Sequence, residues 1–256
     1  MLNKIGLVGG GQIGGVLAAE IARRRLARQV GLVDVKGPDV AKGKTLDIAE
    51  GMPAIGTDVD FEGSKEYSVL KGAEFVINTA GVPRTVRPDG TFPSREELLA
   101  TNLTITDAVA AGVKEYCPQA FIISVANPLD AIVYRLYKKL GVPKSRIIGM
   151  AGVLDSSRYR YFVAKAAGVS AFVSPAWSAL EMLEAIAYDK KKILAVCTLL
   201  EGEYGVDGLF VGVPAILGRG GVEKIVSIKL TAAETAALQK SVAAVRKTCA
   251  EVDAFK

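Results

Sequence analysis

With 256 residues, half of them apolar, the chain is long enough to bury a full core as one large domain or two modest ones. Its formal charge of +5 is modest; Arg23, Arg24, Arg25 and Arg28, like Lys190 to Lys192, read as solvated faces, and no basic stripe with a reading motif points to nucleic acid. Three cysteines without paired spacing argue for a reducing cytoplasm, the lack of histidine and of C-x-x-C argues against zinc, and neither a membrane span nor a signal peptide is expected.

The first stretch organises the rest. Ile5 to Val8 are apolar and β-prone, Gly9-Gly10-Gly11-Gln12-Ile13-Gly14 follow, and Leu17, Ala18 and Ile21 recur at helical spacing. A G-x-G-x-x-G read between a strand and a helix is a dinucleotide fingerprint. Gly9 permits the tight turn, Gly11 lets the backbone approach a pyrophosphate, and Gly14 lets the helix lie close to the strand. The helix N-terminus, with its free N–H groups, would hold the anion. A second strand, Val30 to Val33, ends in Asp34, twenty residues after Gly14. A carboxylate there accepts hydrogen bonds from a ribose diol and repels a 2′-phosphate, which selects NAD over NADP.

Further strands are expected at Val59 to Phe61, Phe75 to Thr79, Phe121 to Val125 and Arg146 to Gly149. A long helix between the fourth and fifth strands opens with Ser94 and Glu97, a capping box, and carries an apolar face of Leu98, Ile105, Val109 and Val113. Alternating strands and helices predict a parallel, doubly wound sheet of Rossmann type, with ligands at the carboxyl ends of its strands. Three strand ends are therefore of interest: Ala80 to Arg84, Asn127-Pro128, and Met150 to Arg158. In the last, Asp155 and Arg158 share a helix face, either as a surface ion pair or as a carboxylate and guanidinium beside the working end of the cofactor. Beyond it, Ser178 to Ala187 read as a helix. Ile193 to Leu200, Gly208 to Val213 and Ile225 to Leu230 read as strands of a separate antiparallel sheet. Thr231 and Glu234 cap a final helix striped by Leu238, Val242, Val245 and Val252.

GGGQIGG, Asp34, NTAGVPR, SREELLATN, ANPLD and GMAGVLDSSRYRYF resemble the malate and lactate dehydrogenase family, in its bacterial malate dehydrogenase branch; SPAWSALEMLEAI and LEGEYGVDGLFVGVPAILGRGGVEKIVSIKLTAAE continue the likeness. The resemblance implies an NAD-binding Rossmann domain over residues 1–149 and an α+β substrate domain over 150–256. It implies malate oxidation by hydride transfer to NAD, with lactate as the alternative substrate. Arg158 would grip the substrate carboxylate with its planar fork. Arg95 would close over the site and polarise the carbonyl, Asn127 would orient the hydroxyl, and Arg84 would read the distal carboxylate. Asp155 would orient a catalytic imidazole. The cofactor would be held by Gly9, Gly11, Gln12, Ile13, Gly14, Asp34, Thr79, Ala80, Gly81, Asn102, Val125 and Asn127. No metal is implied, and a homodimer or homotetramer is.

Two departures stand out. Ten residues separate Arg84 from Arg95, more than in the usual malate dehydrogenase loop. A comparable insert in apicomplexan lactate dehydrogenases carries an aromatic that chooses the substrate. Phe92 fits that part, and a solvent-exposed lid turning at Pro88-Asp89-Gly90 fits the insert equally well. The second departure is larger: the family's proton-carrying histidine lies in a Gly-His-Gly-Asp segment, and this chain contains no histidine. The resemblance stops at Gly168-Val169-Ser170 and restarts near Ala171. We therefore expect a segment of roughly sixty residues, with that histidine, to be missing between Ser170 and Ala171. A catalytically inactive NAD-binding homologue is the rival reading.

Overall fold

The structure, a computed structural model, describes residues 1–37, 39–83, 94–155 and 172–255, apart from the side chains of Arg95 and Glu96. Among these, nine strands form a single sheet. They are β1 (Leu2–Val8), β2 (Ala27–Val33), β3 (Asp60–Ser64), β4 (Phe75–Asn78), β5 (Phe121–Ser124), β6 (Ile147–Met150), β7 (Lys192–Glu201), β8 (Asp207–Gly218) and β9 (Gly221–Ile225), in the order β3-β2-β1-β4-β5-β6-β7-β8-β9. The first six pair in parallel and change direction at β1/β4, the topological switch point where a doubly wound sheet opens its ligand crevice. Helices α1 (Gln12–Arg23), α2 (Val40–Gly51), α3 (Arg95–Tyr116), α4 (Leu129–Leu140), α5 (Val173–Ala187) and α6 (Ala232–Ala254) cover both faces. Leu17, Ile21, Ala41, Leu180 and Leu183 pack α1, α2 and α5 on one face. Leu99, Leu103, Ile132, Val242 and Val252 pack α3, α4 and α6 on the other.

Two expectations are corrected. The last three strands do not form a separate sheet: β7 pairs antiparallel with β6 through Gly149–Cys197 and Met150–Val196 and extends the parallel sheet. An open edge at β6 would leave a row of backbone groups unpaired, and β7 covers it. Gly149 permits the approach, because a Cβ there would lie 3.0 Å from the Cβ of Cys197. The final strand is Gly221–Ile225, not Ile225 to Leu230, because β8 runs on through Pro214 to Gly218 and turns back at Arg219-Gly220.

The two caps read from sequence are both present. Ser94 Oγ accepts from the Glu97 N–H and the Glu97 carboxylate from the Ser94 N–H; Thr231 and Glu234 exchange the same bonds.

Arg135 of α4, 8% exposed, ties one helical face together. It donates to both carboxylate oxygens of Asp107 at 2.7 Å and to the Val252 and Phe255 carbonyls at 3.3 Å, closing the end of α6. These hydrogen bonds from Arg135 hold the Asp107 carboxyl below its usual range. Arg135→Ala is expected to cost about 2–3 kcal/mol at pH 7. A carboxyl depressed in the folded state adds stability above its unfolded value, near 3.9, and loses it as pH falls through the folded value. The penalty in urea unfolding should therefore shrink from pH 7 to pH 3; equal penalties at both would contradict the assignment.

Candidate functional site

The site lies at the carboxyl edge of β1, β2, β4, β5 and β6. Gly9 takes φ +102°, a left-handed conformation, and a Cβ there would lie 2.6 Å from Thr79 Oγ1. A Cβ on Gly14 would fall 1.9 Å from the Gly9 carbonyl oxygen, so only glycine lets α1 sit this close to the turn. A Cβ on Gly11 would meet nothing within 4 Å; the space above the turn is open. Gly11 is also the N-cap of α1 and brings no side-chain cap, and no acidic residue occupies the first turn. In α3 and α6 the equivalent N–H groups are engaged by capping boxes. The first turn of α1 thus keeps its donors and its positive dipole end for an anion.

Asp34, 8% exposed, stands beside this turn. Its Oδ2 accepts from the Gly10 N–H at 2.7 Å and its Oδ1 from the Lys36 N–H at 2.9 Å. Each oxygen keeps further acceptor capacity for a ribose hydroxyl.

After β4 the chain is fixed from three sides. Thr79 Oγ1 lies 3.1 Å from both the Val8 and the Gly9 carbonyl oxygens. Fully buried Asn78 accepts from the Ala80 N–H at 3.1 Å through Oδ1, and its Nδ2 donates to Ser124 Oγ at 3.5 Å. Asn102 of α3, 1% exposed, accepts from the Val82 N–H at 2.7 Å and donates to the Val82 carbonyl at 3.2 Å and the Asn127 carbonyl at 2.8 Å. Its amide therefore spans the loop after β4 and the loop after β5, where the Asn127–Pro128 peptide is cis. Gly81 lies beside it: a Cβ there would be 3.5 Å from Asn102 Oδ1. Sequence reading had not singled out Asn78 or Ser124; the signal was a polar residue ending each of two otherwise apolar strands, FVIN and FIIS.

The structure thus gathers Gly9 to Gly14, Asp34, Thr79, Ala80, Gly81, Asn102, Val125 and Asn127 along one edge. Val125 is buried, while the residues Gln12 and Asn127 are exposed. Residues 152–155 begin a helix after β6, and Asp155 is exposed on it. Arg95 is the first residue of α3, with its side chain outside the description. Arg84, Phe92, Arg158, Ser170 and Ala171 lie outside the described residues.

The three thiols are not poised nucleophiles. All are buried, and burial pushes Cys117 and Cys249 up to about 11. Cys197 is raised by desolvation and by neighbouring Asp130, to which it donates at 3.1 Å.

Residues 3–149 match the family model for the lactate/malate dehydrogenase NAD binding domain, and residues 161–256 match the alpha/beta C-terminal domain of the same family. Malate dehydrogenase 1 of Anaeromyxobacter dehalogenans is 40% identical, with 97% of this chain and 98% of that protein covered. That alignment runs over 312 positions, so at least 56 of them face no residue of this 256-residue chain. Among solved structures, Cryptosporidium parvum malate dehydrogenase superposes with a TM-score of 0.89 at 31% identity, covering 99% of this chain and 100% of that one. The Cryptosporidium parvum lactate dehydrogenase complexed with lactic acid and nicotinamide adenine dinucleotide gives 0.88 at 31% identity, covering 99% and 98%. Matched by both family models and aligned almost end to end with such a relative, this chain belongs to the lactate/malate dehydrogenase family.

Proposed function

We propose that the chain is an NAD-dependent dehydrogenase of a small 2-hydroxy acid, malate first, with a nucleotide domain to residue 149 and a substrate domain from 150. The observation that carries the cofactor reading is the uncapped first turn of α1, open above Gly11, with Asp34 fixed beside it. The turn would hold the pyrophosphate and Asp34 the adenosine ribose. Thr79, Ala80 and Gly81 would line the path toward the reacting end. NAD bound there supplies a hydride acceptor next to the substrate carbon. Asn102 fixes the loops that carry Asn127 and lead to Arg84, so its part is positioning. Arg158 and Arg84 would bind the two carboxylates, and Arg95 would polarise the carbonyl.

Oxidation of the hydroxyl also releases a proton, and no histidine is present to receive it. That absence favours a second reading, in which the chain binds NAD and substrate with little turnover. The relatives' names favour malate, and the long loop after Arg84 is what keeps lactate as the alternative.

Asp34 allows a direct test of the cofactor. NADH should bind roughly a hundredfold more tightly than NADPH, because the fixed carboxylate meets the 2′-phosphate at close range. In Asp34→Ser the gap should narrow in calorimetric titrations. Equal affinities in the wild-type chain would remove the assignment.

A homo-oligomer is part of the same proposal. Val40 and Leu46 on α2, Trp177 on α5 and Tyr188 just past its end are large apolar residues left 43–57% exposed on one face of the sheet.

A further inference from the structure

We propose that Lys44 recognises the cofactor, its ammonium serving as counter-charge for the pyrophosphate on the first turn of α1. The proposal rests on the nucleotide reading above and adds a residue to it.

Lys44 is placed by the seat of α2. Ala41 and Thr45 are the buried residues of that helix, and they press on β3 so closely that a Cβ on Gly63 would lie 2.3 Å from the Ala41 carbonyl oxygen. Half-buried Lys44, adjacent to Thr45, reaches across to α1. Its Nζ is 3.2 Å from the Gly11 carbonyl oxygen. Its stem lies on Gly15, where a Cβ would meet Lys44 Cδ at 3.2 Å and Nζ at 3.1 Å. Gly11 and Gly15 are neighbours on one flank of the helix; Gly15 makes room for the lysine, while the space above Gly11 stays open for the anion.

The contact does not satisfy the ammonium. The Gly11 carbonyl already accepts from the Gly15 N–H at 3.0 Å, so it does not need the lysine. An ammonium has three donors, and Lys44 has no carboxylate within ion-pair distance among the described residues. Lys4, Lys138, Lys139, Lys144, Lys190, Lys191 and Lys192 are each paired with one. An ammonium without an ion pair among the described residues therefore lies beside the Gly11 carbonyl, on the flank of the turn whose N–H groups would hold the pyrophosphate, and its flexible stem can reach toward an anion there.

The rival is a lysine that only packs the seam between α1 and α2. Calorimetric titration of the wild-type chain, Lys44→Ala and Lys44→Arg with NADH, ADP-ribose and adenosine separates the two. At low ionic strength Lys44→Ala should weaken NADH and ADP-ribose alike by roughly fivefold, and the factor should shrink in high salt. Adenosine, which carries no phosphate, should bind unchanged, and Lys44→Arg should stay within about twofold of wild type for all three. Unchanged NADH affinity in Lys44→Ala, or an equal loss for adenosine, would overturn the role of Lys44 while leaving the nucleotide site standing. A wild-type chain that binds neither NADH nor ADP-ribose would overturn both.

Discussion

Inserting between Ser170 and Ala171 the histidine-bearing segment that the family resemblance leads us to expect there should raise NADH-dependent reduction of oxaloacetate by roughly 10²–10⁴, the usual contribution of a positioned general acid or base. Reduction of a 2-oxo acid needs a hydride at carbon and a proton at oxygen. The described part of this chain organises the first requirement, through the glycine turn, Asp34 and the loops fixed by Asn78 and Asn102. For the second it offers the exposed Asp155 after β6, a carboxylate that by the family resemblance would orient an imidazole. Water can deliver the proton, but without the orientation and matched proton affinity of a fixed imidazole. A graft in which the introduced histidine is replaced by asparagine should stay at the rate of the ungrafted chain. A histidine-bearing graft that binds NADH and gains no rate would refute the expectation that a histidine segment is what this chain lacks for turnover.

In that grafted protein, oxaloacetate will be reduced roughly a thousandfold more efficiently than pyruvate, equivalent to about 4 kcal/mol in kcat/KM. In the proposed role, Arg84 would offer a charge-assisted partner to the distal carboxylate of oxaloacetate, which the methyl group of pyruvate could not use. Were that guanidinium left facing the methyl without a partner, desolvation would add to the same discrimination. Arg84→Gln should lower the rate with oxaloacetate and leave pyruvate little changed. If Phe92 fills the pocket instead, the preference reverses, Arg84→Gln is silent and Phe92→Ala carries the loss. Steady-state kinetics of both variants on both substrates decide between the two.

Features of the site that depend on neighbours in the chain were legible from sequence. The glycine turn, the strand ending in Asp34 and the capping boxes at Ser94 and Thr231 all follow from residues a few positions apart, and the structure shows each of them. What the sequence hid depends on distant residues meeting. The join of β6 to β7 rests on Gly149 facing Cys197, almost fifty residues along the chain, and no periodicity in either strand announces it. The last strand lies earlier than its sequence suggests because β8 carries Pro214 within it and runs to Gly218 before turning back. Asn78, Ser124, Asn102 and Lys44 act through contacts between elements, so their residue types were visible but their partners were not.

Calorimetric titration of the ungrafted chain with NADH is the most direct test of the central claim, that this chain, which has no histidine, keeps the dinucleotide site of its family. One saturable NADH site per chain, displaced by ADP-ribose, is the predicted result. An absence of saturable binding would contradict it, because the turn at Gly9 to Gly14 and the carboxylate of Asp34 would then be architecture without a ligand.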